Sequence, residues 1–466
     1  MTDVVLTDAL VLTMDPQRRA FRDGYVWIRD EVVHQVGSMG ALPPLPTGAG
    51  VRSMRGRHVV MPGLVNTHDH ISNNVVRGTF DEGSHEDYGT RMFAALRALD
   101  GDASHAGAMS SLVEQLQGGI TTTQAGEFGH RDRPSGVLRA ARESGLRVVF
   151  SLAFTDSADE TVNALSVPQE FRETPDEAVG QLEALHGEFA SPLITVAPEA
   201  LSPMRCTPEM ISSLHLYAVA RDTPLFIHLG AAADEMEESQ RRYGVTTVGF
   251  LAGLGVLAPK TVLAHANYVD EQDNALLAEY GTGVAHCPVA NIWAGGRIPM
   301  LAEWLEADVR VGLGTDGATS NNGQNLWETA KMAVLLQKFR LADRTYASAG
   351  LGLELLTIGG ARAMHMEDRI GSLEPGKQAD VICIDIDRPT LTPRETVTSN
   401  LVYSHDRSAV RHVYVAGAEQ LRDGVPVNLD VDAIVARVKE QAGMVIAAPG
   451  VGLGFAERSL VNWVDD

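Results

Sequence analysis

The feature that most constrains the fold of this 466-residue chain is an alternation of short apolar runs with helical patterns between residues 58 and 370. In three places a segment with helical spacing precedes a β-like run: SSLVEQLQGG precedes ITTTQAG, SGVLRAARESG precedes LRVVFSLAF, and PDEAVGQLEALHGEF precedes LITVAPEAL. Strands that alternate with helices predict a parallel sheet wrapped by helices. A (β/α)8 TIM barrel takes up about 250 residues or more, so this α/β fold suits both the pattern and the length.

The two ends of the chain have a different pattern. Residues 3–37 and the segment after Gly371 consist of short apolar stretches separated by turn residues, as in GYVWIRDEVVHQVG and VRHVYVAGAEQLRDG. Strand-turn-strand patterns at both ends predict a second, smaller β-sandwich domain to which both ends contribute. The predicted division is residues 1–57 for the N-terminal part of the β-sandwich, 58–370 for the barrel, and 371–466 for the C-terminal part of the β-sandwich with a tail.

Side chains that bind metals follow four of the predicted strands. His68 and His70 end the run HVVMPGLVNTHDH, and His228, His265 and Asp316 close PLFIHL, TVLAH and VGLGTD. In a parallel barrel the carboxyl ends of all strands meet at one rim, so these side chains are expected to converge there. Residues two apart on an extended chain point the same way, which lets the first two histidines face one ion. The pattern therefore predicts a metal site that activates water.

Each of these residues, taken alone, has an ordinary structural explanation. A lone His-x-His pair arises by chance, and a histidine such as His265 is often a hydrogen-bonded core residue. A carboxylate at the end of an apolar strand, as at Asp316, is costly to bury unless a cation or hydrogen bonds compensate its charge. The occurrence of all four strand ends in one chain is what favours the metal site.

Two other patterns are assigned no role in binding. Gly312-x-Gly314-x-x-Gly317 matches the dinucleotide-binding fingerprint, but a polar run, ATSNNG, follows where a helix is required, and no βαβ unit surrounds it. We therefore expect no nucleotide cofactor. The acidic run from Asp234 to Glu238 is expected to be the solvent-exposed start of a helix.

The composition limits the partners of the chain. The formal net charge is −22 and 21% of the residues are charged, which argues against nucleic acid or a membrane surface as a partner and favours a small-molecule substrate. Three cysteines are too few for a disulfide framework, and the segment MTDVVLTDAL lacks the features of a secretory signal. No apolar run approaches the roughly 20 residues that span a bilayer, so a cytoplasmic protein is expected.

Taken in order, the same segments resemble the motifs of the amidohydrolase superfamily. MPGLVNTHDH, FIHLG, VLAHA, VAHCPVAN, GLGTDGATSNNGQNLWE and GSLEPGKQADVICID look like motifs of the branch that holds methylthioadenosine/S-adenosylhomocysteine deaminases and the triazine, phenylurea and molinate hydrolases. The resemblance spans nearly the whole chain. It implies one divalent metal ion, usually zinc, with iron, cobalt or manganese as alternatives, and a homo-oligomeric assembly.

The resemblance also implies roles for residues of this chain. The metal ligands would be His68, His70, His228 and Asp316. As catalytic residues, Asp316 would also take a proton from the attacking water, and His265 would hydrogen-bond to the water or to an oxygen atom of the substrate. The chain has no lysine at a strand end that is suited to bridging two metals, which favours a single ion.

Two positions depart from the pattern of that family. Deaminases of this branch carry His-x-x-Glu on the fifth strand, whose Glu protonates the ring nitrogen under attack, whereas this chain has Ala231 three residues after His228. Alanine cannot transfer a proton, so ordinary deamination is put in question. In VAPEALSP, Glu199 stands where relatives commonly have a histidine. It is a candidate catalytic residue that replaces the lost acid if burial raises its pKa, or it is a carboxylate bonded to the loop backbone.

These observations support three hypotheses about function. The leading hypothesis is a metal-dependent hydrolase that cleaves a C–N, C–S or C–halogen bond of a small molecule of the urea, carbamate, thiocarbamate or triazine type, because the water-activating centre is intact and the acid of the deaminases is missing. The first alternative is a deaminase of a purine, pyrimidine or related heterocycle in which Glu199 or Glu127 supplies the proton. The second alternative is a catalytically silent scaffold on the same fold.

Overall fold

The computed structural model describes residues 3–81, 85–130, 132–157 and 167–453. Within these ranges the strands, in chain order, are β1 (Asp3–Leu12), β2 (Ala20–Arg29), β3 (Val32–Ser38), β4 (Gly50–Ser53), β5 (His58–Pro62), β6 (Leu64–Asn66), β7 (Ile120–Phe128), β8 (Arg147–Phe154), β9 (Ile194–Ala200), β10 (Leu225–Leu229), β11 (Thr261–His265), β12 (Gly283–His286), β13 (Arg310–Leu313), β14 (Val381–Asp385), β15 (Val410–Val415), β16 (Ala418–Arg422) and β17 (Val425–Pro426).

Helices separate the central strands, and one long helix follows the last strand. They are α1 (His85–Ala98), α2 (Gly101–Gln117), α3 (Arg133–Ser144), α4 (Pro175–Phe189), α5 (Pro208–Arg221), α6 (Ala233–Tyr243), α7 (Thr247–Gly253), α8 (Glu271–Glu279), α9 (Pro288–Trp293), α10 (Leu301–Glu306), α11 (Leu326–Arg340), α12 (Ala349–Glu354), α13 (Gly360–Ala363), α14 (Val397–Tyr403) and α15 (Val431–Ile446). Within the described residues, no helix has both the length and the apolar character needed to cross a membrane.

Strands β6–β13 close into a barrel whose neighbouring strands are parallel, and β13 pairs with β6 to complete the circle. The runs ITTTQAGEF and RVVFSLAF form β7 and β8 and are buried along their whole length. Continuous burial is what a parallel sheet covered by helices requires. The predicted (β/α)8 barrel is confirmed, and it places the carboxyl ends of eight strands at one rim.

The chain ends build a second sheet. Its nine strands follow the order β17-β16-β15-β14-β5-β1-β2-β3, with β4 paired to β1. Strand β5 pairs with β14 in an antiparallel register that places Val60 opposite Cys383, so the distant ends of the sequence meet in the middle of the sheet. The predicted smaller β domain from both ends is confirmed, and its strands form one continuous sheet. Residues 454–466 of the predicted tail lie outside the described residues.

The run HVVMPGLVN, which the sequence presents as one strand, is two strands in different sheets. The residues before Gly63 form β5 of the terminal sheet, and those after it form β6 of the barrel. A Cβ atom on Gly63 would lie 2.1 Å from Thr121 Oγ1, so only glycine allows the chain to pass this close to the start of β7. The chain thus enters the barrel at Gly63, just past the predicted boundary at residue 58.

A buried ion pair fastens the amino end of the barrel to the terminal sheet. The guanidinium of Arg147, the first residue of β8, lies 3.1 Å from Oδ1 of Asp380, which precedes β14. The Ala416 amide donates to the same oxygen at 2.8 Å, and Thr122 Oγ1 donates to Oδ2 at 3.4 Å. Both charged groups are almost fully buried, and these contacts compensate the cost of removing them from water.

An apolar layer lies beside the opposite, carboxyl rim. It draws on the short 3₁₀ segment Ile71–Val76, on α1 and on α15. Its buried members include Val75, Val76, Phe80, Phe93, Phe128, Phe171, Val445 and Val451. The layer therefore joins the C-terminal helix to the segment that follows the first barrel strand.

Candidate metal centre

Five side chains from four strand ends meet at the carboxyl rim of the barrel. His68 and His70 follow β6, His228 lies in β10, His265 ends β11, and Asp316 follows β13. His70 Nε2 lies 3.3 Å from His228 Nε2 and 3.5 Å from Asp316 Oδ1. The ligand atoms of His68, His70 and Asp316 lie within 4.8 Å of one another, as do those of His68, His228 and His265. The structure thus brings these five predicted residues together around one point.

Hydrogen bonds orient the imidazoles of His68 and His70 from the side away from this point. His68 Nδ1 donates to Gln124 Oε1 at 3.1 Å, and His70 Nδ1 donates to the Gly126 carbonyl at 2.5 Å. Both acceptors lie on β7, the strand next to β6. A histidine that carries its proton on Nδ1 presents a lone pair on Nε2, which is the atom that faces the other ligands.

His228 and His265 are held in the same way from neighbouring elements. His228 Nδ1 lies 2.9 Å from Oε1 of Glu199, which is on β9, and His265 Nδ1 donates to Asn291 Oδ1 at 3.0 Å. Each of the four imidazoles therefore has an oxygen atom within 3.1 Å of Nδ1 and directs Nε2 at one centre. His228 differs from the other three because its acceptor is a carboxylate.

The donor set fits a metal cation. Nε2 of His68 is fully buried and makes no hydrogen bond to any group that the structure describes. A buried polar atom of this kind requires an ion or a solvent molecule as its partner. Neutral imidazoles together with one carboxylate form the kind of site that binds zinc and other first-row transition ions.

Asp316 is a strained and buried carboxylate. Its backbone φ of 61° lies in the left-handed region, which costs a non-glycine residue of order 1–3 kcal/mol. Burial acts to raise the pKa of Asp316, but the nearby imidazoles of His265 and His70 and a 2.6 Å hydrogen bond from the Gly317 amide outweigh burial and lower this pKa. The carboxylate is therefore ionised at neutral pH, as a metal ligand or a proton acceptor must be.

His265 shares this backbone strain. Its φ is 72°, and its Nε2 lies 3.9 Å from Asp316 Oδ2. Burial lowers the pKa of His265, so the imidazole is neutral at neutral pH and its Nε2 accepts hydrogen bonds. Strained residues of this kind cluster at sites where the fold holds side chains for chemistry.

The glycine pattern that resembles a dinucleotide site is explained by the packing of the histidines. A Cβ atom on Gly314 would lie 2.8 Å from Cβ of His68, and one on Gly317 would lie 2.8 Å from Cβ of His70. These two glycines let the chain after β13 pass directly against the two histidines. That close approach is what brings Asp316 next to them.

Glu199 lies behind His228 among buried polar groups. Its Oε2 accepts hydrogen bonds from Ser151 Oγ and, at 3.4 Å, from Gln124 Nε2, while Oε1 faces His228. Burial acts to raise the pKa of Glu199, but the charge of the adjacent His228 outweighs burial and this pKa is lowered. The sequence hypothesis of a substitute acid at residue 199 requires a raised pKa, which is the opposite direction.

Glu127, the other carboxyl considered as a substitute acid, is engaged by charged and polar partners. Arg133 Nη2 donates to its Oε2 at 2.5 Å, and Ser72 donates through its amide at 2.8 Å and its hydroxyl at 2.7 Å. All three residues are buried. Glu127 therefore connects the segment that follows His70 to the end of β7 and supports the position of that proposed metal ligand.

Sequence reasoning missed a buried carboxyl near the site. The acidic start of α6 is predicted to be exposed, and this prediction is wrong for Glu235 and Glu238, which are buried. Glu235 Oε1 accepts a 2.8 Å hydrogen bond from the amide of Gly230, two residues after His228. Burial raises the pKa of Glu235 to about 7. The spacing of Glu235, Glu238 and Ser239, which share one face of the helix, was the signal that could have revealed it.

Aromatic side chains border the site on the side of α1. Tyr88 Oη lies 3.3 Å from Thr319 Oγ1, in the loop after Asp316. The Tyr88 ring packs edge-on against Phe80, with ring centroids 5.4 Å apart. Burial and the nearby charge of Asp316 raise the pKa of Tyr88 to about 12. The tyrosine is therefore an uncharged and largely apolar neighbour of the centre.

Known proteins resemble this chain along almost its whole length. The sequence matches the model of the amidohydrolase family over residues 59–419. It is 32% identical over 443 residues to the 5-methylthioadenosine/S-adenosylhomocysteine deaminase of Syntrophobacter fumaroxidans, an alignment that covers 94% of this chain and 97% of the relative. A solved adenosine deaminase from Xanthomonas campestris with bound zinc has a TM-score of 0.87 at 26% identity and covers 95% of this chain and 98% of its own. Atrazine chlorohydrolase from Arthrobacter aurescens, complexed with zinc, has a TM-score of 0.86 at 22% identity, covers 94% of this chain and 100% of its own, and supports the fold alone.

Proposed function

The chain belongs to the amidohydrolase family and is a hydrolase of carbon–nitrogen bonds, and on this premise we propose its metal, its substrate class and the roles of its residues. The metal is one divalent ion, zinc in the first instance, with iron, cobalt or manganese as alternatives. Its ligands are His68, His70, His228 and Asp316. Support comes from the convergence of these side chains, from the unpartnered Nε2 of His68, and from the zinc in the solved adenosine deaminase.

The chemistry is hydrolysis by activated water. A divalent ion, when bound, lowers the pKa of water from 15.7 towards about 7. Ionised Asp316 accepts the proton that the attacking water loses. His265, whose Nδ1–H is held by Asn291, accepts a hydrogen bond from the same water at Nε2 and so orients the attack. Because the fold fixes both acceptors before the substrate arrives, little reorganisation is needed at the reacting centre.

We propose a small, uncharged and largely apolar substrate with an electron-poor carbon, of the urea, carbamate, thiocarbamate or triazine type. The observation that carries this proposal is the missing acid, because Ala231 has no proton to give and Glu199 lies as a carboxylate against His228. Thiolate and halide leaving groups depart without a proton, and an amine can take the proton that Asp316 accepts from the water, so a C–N, C–S or C–halogen bond can break without an acid at residue 231. The rings of Phe80 and Tyr88 beside the site suit an apolar molecule.

A substrate panel on the metal-loaded enzyme tests this proposal. We expect turnover of a phenylurea, carbamate, thiocarbamate or chlorotriazine, measured as release of amine, thiol or chloride, and little ammonia from aminopurines or aminopyrimidines. The variant Ala231→Glu restores the acid that deaminases carry, and we expect it to gain ammonia release without gaining turnover of the carbamates. Rapid ammonia release from a purine or pyrimidine by the unaltered chain would reverse the ranking.

Deamination of an aminated heterocycle is the second candidate, and two observations favour it. The relative from Syntrophobacter, aligned over 97% of its length, is named as a deaminase. Glu235 also supplies a carboxyl with a pKa of about 7, hydrogen-bonded to the loop after His228. A carboxyl that is partly protonated at neutral pH can act as a general acid, which is the function that Ala231 lacks.

The variant Glu235→Gln tests this second candidate. Glutamine keeps the hydrogen bond to the Gly230 amide but cannot deliver a proton, so we expect it to abolish ammonia release if deamination is the activity. Glu237→Gln, at an exposed position of the same helix, is the matched control. Full ammonia release by the Glu235→Gln variant would dismiss this mechanism.

The silent scaffold considered from the sequence is set aside, because the family relationship is to hydrolases. A cytoplasmic location, a homo-oligomeric assembly and the lack of nucleic-acid or membrane partners stay predictions from the sequence. Size-exclusion chromatography with light scattering measures the assembly directly.

A further inference from the structure

We propose that Glu199 is an anionic positioning residue for the metal: its carboxylate holds His228 through Nδ1 and brings the charge of the loaded site to zero. The inference rests on the metal site of the proposed function and is independent of the substrate. It gives residue 199 a task different from the proton donation that the sequence suggested.

The carboxylate of Glu199 lies within ion-pair distance of the imidazole of His228. Glu199 Oε1 lies 2.9 Å from His228 Nδ1, on the side of the ring opposite to Nε2, and Glu199 is 1% exposed. A carboxylate at Nδ1 fixes the tautomer and the orientation of a metal-binding imidazole and raises the basicity of its other nitrogen. The other three imidazoles of the site have neutral acceptors, so His228 is the ligand that gains most from its partner.

One network connects Glu199 to a second ligand. Gln124 accepts from His68 Nδ1 through Oε1, and its Nε2 donates to Ser151 Oγ at 2.6 Å and to Glu199 Oε2 at 3.4 Å. Ser151 Oγ in turn donates to Glu199 Oε2. Buried hydrogen bonds therefore connect His68 to the same carboxylate that contacts His228.

Gly126 leaves room for the carboxylate of Glu199 because it has no side chain. A Cβ atom on Gly126 would lie 2.6 Å from Glu199 Oε2 and 3.1 Å from Gln124 Nε2. Gly126 also offers its carbonyl to His70 Nδ1. A side chain at residue 126 would displace the carboxylate of Glu199 and the amide of Gln124, so the glycine belongs to the same arrangement.

The sum of charges gives the arrangement a consequence for the substrate. Glu199 and Asp316 contribute two negative charges, and one divalent cation cancels them. A site with no net charge neither attracts nor repels an ion strongly. This balance supports the uncharged substrate class of the proposed function.

The test is the metal affinity of the full-length chain, measured apart from turnover. The metal-free wild type, Glu199→Gln and Ser151→Ala are titrated with Co²⁺ against a competing chelator, and the visible absorption of the bound ion is recorded. Glutamine keeps the size of the side chain and removes its charge. We expect Kd to rise 10- to 100-fold in Glu199→Gln, with a shifted absorption spectrum, and to rise less in Ser151→Ala.

A second variant, Glu199→Asp, keeps the charge, and we expect its Kd to lie between those of the wild type and Glu199→Gln. Thermal unfolding of the metal-free proteins establishes that each variant is folded. Unchanged affinity and spectrum in Glu199→Gln overturn the inference, and the additional loss of one limb of the pH–rate profile would identify Glu199 as an acid. A wild type that binds no ion overturns the proposed metal site as well, so the two failures are distinguishable.

Discussion

The ion pair at the amino end of the barrel and the histidine cluster at its carboxyl end differ in how their buried groups are compensated. At the amino end, Asp380 is paired with Arg147 and accepts further hydrogen bonds, so its charge is compensated by groups of the protein. At the carboxyl end, His68 Nε2 has no hydrogen-bond partner among the described residues, and His265 and Asp316 keep left-handed backbone conformations. We infer that the ion pair at the amino end contributes to stability. The side chains at the carboxyl end leave ligand atoms available for a metal ion.

Stability and catalytic chemistry are therefore expected to depend on separate residues of one fold. A substitution at the amino end should change the free energy of unfolding and leave metal binding intact. A substitution at the carboxyl rim should change metal binding or turnover and cost little stability, because the rim residues are already strained. Four substitutions test whether stability and metal binding separate in this way.

The largest effect is expected for Asp316→Asn. Asparagine tolerates the left-handed φ of this position, but it neither accepts the proton of the water nor supplies a negative charge to the metal. We expect kcat/KM to fall by about 10⁴-fold, with little change in the unfolding temperature of the metal-free protein. Turnover above a tenth of the wild-type value would show that Asp316 is not the base.

Asp380→Ala is expected to have the next largest effect, at the other end of the barrel. It leaves the Arg147 guanidinium buried and uncompensated, which costs about 3–5 kcal/mol of the free energy of unfolding. Urea unfolding of the metal-free chain measures this cost. Asp387→Ala removes one half of an exposed ion pair with Arg57 and should cost less than about 1 kcal/mol. Equal losses in the two variants would contradict the contrast.

Glu235 adds a pH dependence at the carboxyl end. Its pKa is raised from 4.5 to about 7 in the folded chain, so the folded state holds the proton more tightly than the unfolded state does. The stability from this group is fully present below about pH 4.5 and is lost as the pH rises to about 7. Relative to the wild type, Glu235→Gln should therefore gain up to about 3 kcal/mol between pH 4.5 and 7.5. Parallel stability curves for the two proteins in urea would refute the raised pKa.

The smallest of the four effects is expected for His265→Asn. In the proposed function, His265 accepts a hydrogen bond from the water and is not a metal ligand. We therefore expect kcat to fall by about 10²-fold, while Kd for Co²⁺ stays within a factor of about three. Steady-state kinetics and the cobalt titration measure the two quantities on one preparation. A loss of cobalt binding would place His265 among the ligands and would change the proposed coordination.

The sequence was sufficient to locate the rim residues because their position depends on a local pattern. His68, His228 and Asp316 each follow a short apolar run, and the parallel barrel brings the ends of all such runs to one side. A local sequence pattern does not predict the boundary between β5 and β6, because both strands are apolar. The boundary lies at Gly63, which packs closely against Thr121 in the folded chain.

The contacts of Glu199 and Glu235 could not be predicted from the sequence for a different reason. The pairing of Glu199 with His228 depends on which strands are neighbours and on which way one side chain turns, and neither is written in a local pattern. The burial of Glu235 depends on how α6 packs after the loop that holds Gly230. These two carboxyls are the residues whose chemistry the structure changes most relative to the sequence-based expectation.

Anomalous X-ray scattering from crystals of the purified chain shows whether a metal ion lies among the histidines and Asp316. Data collected at the zinc, iron, cobalt and manganese edges locate and identify any bound transition ion. We expect one peak per chain, about 2.0–2.2 Å from Nε2 of His68, His70 and His228 and from a carboxylate oxygen of Asp316. An active enzyme with no peak at this position, or with its only peak elsewhere, would show that these residues do not form the metal site.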